Sequence, residues 1–137
     1  MKKFKLQSIL FVLFATTALT SCSNDDDAQS VPELITKNAF VTEVNGPATG
    51  KIDEIITLDV VFTVDNSCGD FNKFIDATIG TEKGLQVEAK YLSDICDKKV
   101  PEPKTTTYKF KSTVKGSYDL KFRKSETEFT THTIVIE

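Results

Sequence analysis

In the segment IITLDVVFTV, Ile56, Leu58, Val60, Phe62 and Val64 fall on one face, with Thr57, Asp59 and Thr63 opposite. A period of two marks a half-buried antiparallel strand. It recurs in LQVEAKY, where Leu85, Val87, Ala89 and Tyr91 alternate with Gln86, Glu88 and Lys90. YKFK sets Tyr108 and Phe110 against lysines, and YDLKF does the same with Tyr118, Leu120 and Phe122. Turn residues separate these runs at 45–50, 66–69, 80–84, 101–103 and Gly116. Seven strands are predicted, near 39–45, 54–65, 71–80, 84–92, 104–112, 117–124 and 128–136. Many short strands at that spacing read as an all-β sandwich or barrel.

Gly116-x-Tyr118-x-Leu120 resembles the start of strand F in immunoglobulin-like domains, where a tyrosine-corner Tyr precedes an inward core position by two residues. Leu120 stands where antibody domains place their second core cysteine, and the chain has no tryptophan. The resemblance therefore implies an antiparallel immunoglobulin-like β-sandwich without the antibody disulfide.

Hydropathy changes character at the N-terminus. Met1 to Lys5 is basic and Ile9 to Ala15 is unbroken apolar sequence. Sixteen residues separate Lys5 from Cys22, short of the roughly 20 apolar residues that span a bilayer. A basic start, a short apolar run and a small-residue end describe a cleaved secretory signal. Leu19-Thr20-Ser21-Cys22 resembles the bacterial lipobox, in which the cysteine becomes residue one of the mature chain and carries a diacylglycerol thioether. Only a thiol supplies the sulfur nucleophile for that bond. The expected organisation is a signal peptide at 1–21, a flexible acidic tether at 22–38 and a single sandwich domain at 39–137. Asp25-Asp26-Asp27 follows the cysteine closely and resembles the surface-export signal of Bacteroidota lipoproteins. A solvated spacer that anionic headgroups repel is the compatible alternative.

Loss of the leader changes the charge picture. The mature chain has fourteen Lys and Arg against twenty Asp and Glu, a formal −6. That disfavours nucleic acid, which selects a basic excess. Within the domain, residues 104–125 carry +6 and residues 23–103 carry −9. A basic surface could meet an acidic glycan or protein; alternatively, lysines simply solvate strands and block edge pairing.

Cys68 and Cys96 remain, an even pair in an exported domain, and are expected to form a disulfide. Closing a loop of about 29 residues contributes roughly 3–4 kcal/mol in the chain-entropy picture. No CxxC occurs and His132 is the only histidine, so no zinc site and no cofactor is expected. Calcium could be held by carboxylates of DNSCGD (65–70) and SDICD (93–97). The EF-hand register fails there, because Asp70 stands at the glycine position and Asp76 replaces the terminal Glu. His132 lies between threonines in register with Ile134 and Ile136, the setting of a strand-end histidine rather than a base. Neither GxSxG, HExxH nor a P-loop occurs.

The segments GPATGKIDE, FTVDNSCGDFNKF, TTTYKF, GSYDLKF and the ending THTIVIE together resemble small Bacteroidota envelope lipoproteins with an immunoglobulin-like domain. The resemblance covers residues 45–137 and implies no activity. With alternating strands, the loops holding Cys68 and Cys96 share one end, where the tether also enters. The far end then holds 45–51, 80–84 and 113–116, with Asn45, Gly46, Lys51, Gly80, Gly84 and Lys115 as candidate partner-binding positions. The expectation is an outer-membrane, cell-surface lipoprotein that is a non-catalytic binding module. Its partners would be the membrane, through Cys22, and an envelope protein or glycan. The alternatives are a structural envelope spacer and a carbohydrate-active accessory protein or hydrolase. Cys22→Ala should release the protein from the membrane fraction and abolish fatty-acid labelling; labelling that survives would refute the lipobox.

Overall fold

Strand β4 (Ile56–Phe62) buries Ile56, Leu58, Val60 and Phe62 and turns Thr57 and Asp59 to solvent, as its alternation requires. The protein, described from a computed structural model, is seen over residues 34–92, 96, 99 and 101–137. Two sheets face each other. The larger contains β1 (Ile35–Ala39), β3 (Thr49–Gly50), β5 (Gly69–Ile79), β6 (Glu82–Tyr91), β8 (Gly116–Arg123) and β9 (Phe129–Ile136). The smaller runs β2 (Val41–Asn45), β4, β7 (Lys104–Phe110).

The all-β expectation stands, but the count of seven and the fully antiparallel pairing do not. Nine strands occur among the described residues, and the larger sheet is mixed. The strand predicted at 39–45 is divided between two, and the turn predicted at 45–50 holds a third. β1 pairs antiparallel with β6, the chain crosses to the other sheet at Phe40, and β2 pairs with β4 across a bulge between Val41 and Glu43. It then returns to the larger sheet as β3, parallel to β9. β1 also takes in residues 35–38, which the period of two had left to the tether. The second parallel pair, β6 with β8, follows from connectivity. The chain passes from β6 through β7 in the opposite sheet before reaching β8, and such a crossover brings two strands of one sheet into the same direction.

Aromatic rings join the layers. Tyr108 of the smaller sheet lies 5.2 Å from Phe74 and 5.4 Å from Phe122 of the larger, both edge-on. Phe110 meets Tyr118 at 5.2 Å, and Phe62 meets Phe71 at 6.2 Å. Such tilted pairs add about 0.5–1.5 kcal/mol each beyond their area burial.

One buried polar side chain marks the sheet change. The edge of β6 away from β5 is divided, with Val87–Tyr91 paired to β1 and Leu85 to β8. Gln86 stands at the division, 1% exposed. Its Nε2 donates to the Ala39 carbonyl at 2.6 Å and the Val87 carbonyl at 3.2 Å. The Ala39 oxygen, at the end of β1, thus receives a side-chain donor. Gln86→Glu would turn a carboxylate toward these carbonyls. It should cost about 2–4 kcal/mol at neutral pH. Burial raises the folded-state pKa of that carboxyl above its unfolded value, so denaturant melts should show the deficit shrinking as pH falls from neutral toward about 4 and levelling off below that.

Candidate interaction surfaces

The structure joins Cys68 to Cys96, with Cα atoms 5.7 Å apart. The loop that carries Cys68 is tied down on both sides. Its amide donates to Asn66 Oδ1 at 3.0 Å, and Gly69 N–H donates to the Asn66 carbonyl. Asp65 N–H donates to the Tyr91 hydroxyl at 3.1 Å. Lys37 pairs with Asp65 at 2.8 Å and lies over the Tyr91 ring. The hydrogen bond to Asp65, then its charge, holds the Lys37 ammonium above the ordinary lysine pKa. Ile35 and Gly69 are both register partners of Tyr91. The first strand therefore begins at the disulfide end, where the topology argument put it. Cys22 lies outside the described residues, as do Asp94 and Asp97 of the calcium hypothesis. Asp65 and Asp70 of that hypothesis face Lys37 and Lys104. No group of three metal-ligating side chains occurs among the described residues.

The opposite end gathers the other three segments. Gly50 and Gly116 both pair with Ile136, and Asp53 N–H donates to the Ser112 carbonyl at 2.9 Å. Asn45, Lys51, Gly80 and Lys115 are exposed there. Gly80 has φ +61° in the β5–β6 turn, with open space around it. Gly46 and Gly84 are different. A Cβ on Gly46 would collide with Leu58, and one on Gly84 would lie 2.6 Å from the Phe129 ring and 2.7 Å from the Lys121 carbonyl. Neighbours press on both, exposed Gly46 and half-buried Gly84, so a side chain at either position would disturb packing.

The basic segment also reads differently in three dimensions. Lys104, Lys111, Lys121, Arg123 and Lys124 pair with Asp70, Asp53, Glu82, Glu126 and Glu128. Most of the +6 excess is therefore met locally by acids from elsewhere in the chain, and no uniform basic face is formed. His132 is half-buried, with Nε2 3.1 Å from the Pro47 carbonyl.

Sequence reasoning passed over the aliphatic residues at this end. Ile52, Ile55 and Val114 are 40%, 61% and 62% exposed. Each stands on a braced turn. The 51–54 turn closes through Glu54 N–H to the Lys51 carbonyl, and Lys51 N–H donates to Glu54 Oε2. It puts Asp53 at φ +64°, a left-handed conformation that Asp tolerates better than most residues. The Lys111 ion pair holds that aspartate at 3.1 Å. Beside it, the Tyr118 hydroxyl donates to the Val114 carbonyl at 2.8 Å and accepts from Ser112 Oγ. Val114 N–H donates to Ser112 Oγ, closing the ring. A sequence signal did exist for Ile55: it adjoins inward Ile56, so strict alternation turns it to solvent.

No family model, curated protein or solved structure matches the chain. Any functional reading therefore rests on the residues themselves. Gly84→Ala should destabilise the fold by about 1–3 kcal/mol through overpacking, whereas Lys115→Ala should stay within about 0.5 kcal/mol. Chemical denaturation of the two variants separates a packing glycine from a surface position.

Proposed function

We propose that the protein is a lipid-anchored cell-envelope lipoprotein whose immunoglobulin-like domain is a non-catalytic interaction module. One observation carries the reading: Ile52, Ile55 and Val114 are exposed on two hydrogen-bonded turns at the end remote from the disulfide. Aliphatic side chains fixed in water cost solvation free energy that contact with a partner recovers. Turns braced in this way also lose little entropy when a partner settles on them. Export is supported by the disulfide, a bond that persists in oxidising compartments. The immunoglobulin-like assignment is supported by the Tyr118 hydroxyl bonding back to Val114, the geometry of a tyrosine corner. It departs from that family where β6, not β5, lies against β8.

The spacer alternative makes the opposite expectation at the same residues. A photo-crosslinking side chain at Thr113 should yield a discrete protein adduct in intact envelopes. Ile52→Ser with Ile55→Ser should remove that adduct, with the melting temperature within about 2 °C of the parent, since exposed positions contribute little to folding. The same crosslinker at Thr107, on the flank, should yield none. Absence of an adduct at both positions would favour the spacer.

A further inference from the structure

The disulfide end carries an aliphatic cluster of its own. Leu34, Ile35 and Leu92 are 51%, 39% and 56% exposed. Ile35 is the register partner of Tyr91, so Leu34 and Leu92 lie just beyond the paired ends of β1 and β6. We propose that Leu34, Ile35 and Leu92 dock on the surface of the bilayer that holds the Cys22 acyl chains. This rests on the lipid-anchor reading given above.

Chain length keeps this end within reach of the bilayer. Only residues 23–33 lie between Cys22 and Leu34, eleven in all. Eleven residues span at most about 40 Å when fully extended. Leu34 is the next residue, and Ile35 after it opens the strand paired to β6. Lys37 with Asp65 and Lys104 with Asp70 are paired at this end. Asp65 and Asp70, two acidic groups at this end, thus each face a cation. Three aliphatic side chains held beside lipid gain by leaving water for the headgroup–acyl boundary. Docking there would stand the domain upright and turn Ile52, Ile55 and Val114 away from the membrane.

The chain has no tryptophan, so Leu34→Trp and Val114→Trp each place a single fluorophore at one end. Acylated mature protein carrying either change is reconstituted into phosphatidylethanolamine–phosphatidylglycerol vesicles with brominated acyl chains. Emission from Leu34→Trp should be quenched at least threefold, and emission from Val114→Trp should barely change. Adding Ile35→Thr and Leu92→Ser to Leu34→Trp should remove most of the quenching, which separates docking from mere nearness to the anchor. Quenching that survives this double change, equal quenching at both ends, or none at either would overturn the docking. Protein that carries no acyl group at Cys22 and fails to float with the vesicles overturns the anchor reading itself. Acylated, floating protein with an unquenched Leu34→Trp overturns the docking alone.

Discussion

Strand β6 has one edge filled along its length by β5 and a second edge that no single neighbour covers. β1 takes the half that ends at Tyr91, and β8 meets the half at Leu85. Much else follows from that division. Because β1 stops at Ala39, the chain is free to cross at Phe40 and edge the smaller sheet as β2. Because β8 arrives from the other sheet, it runs parallel to β6, and the larger sheet is mixed. At the gap between the two neighbours, the Gln86 amide donates to the Ala39 carbonyl. A buried amide is tolerated only where it satisfies a group that would otherwise cost more.

The same pairing fixes the polarity of the molecule. β1 enters beside Tyr91 and Gly69, so the N-terminal approach and the Cys68–Cys96 bond share an end. The chain from β1 through β3 then runs the length of the domain and finishes at Gly50, beside Ile136 and Gly116. A chain tethered through its N-terminus is thereby given a near end and a far end by strand pairing alone.

Period-two alternation made β4, β6, β7, β8 and β9 legible, because half-burial of a sheet writes itself directly into side-chain polarity. The disulfide was legible from export and cysteine parity, and the Tyr118 hydrogen bond from a three-residue pattern. The sheet changes at 40 and 46–48 were not. Crossing residues keep extended backbone and similar polarity, so alternation runs on while the pairing partner changes. The packing constraint on Gly46 and Gly84 was hidden for a related reason. In sequence a glycine that frees a turn looks the same as one that admits a ring, and only Leu58 and Phe129 tell them apart. Local ion pairing was equally hidden, since the acids that meet residues 104–124 include Asp53, Asp70 and Glu82 from distant strands.

The flanks of the domain are guarded against strand addition. Open sheet edges invite strand addition unless bulges or charges blunt them. Edge strand β5 carries a bulge between Phe71 and Lys73, with Lys73 itself exposed and directed to Glu88. Edge strand β7 presents Thr105, Thr107 and Lys109 to solvent and is preceded by Pro101 and Pro103. The flanks are therefore charged, irregular or proline-guarded. Among the described residues, the exposed large aliphatics sit instead at the two ends, Leu34, Ile35 and Leu92 at one and Ile52, Ile55, Val114 and Val135 at the other. A domain guarded along its sides and apolar at both ends can associate end-on without offering its strands for aggregation.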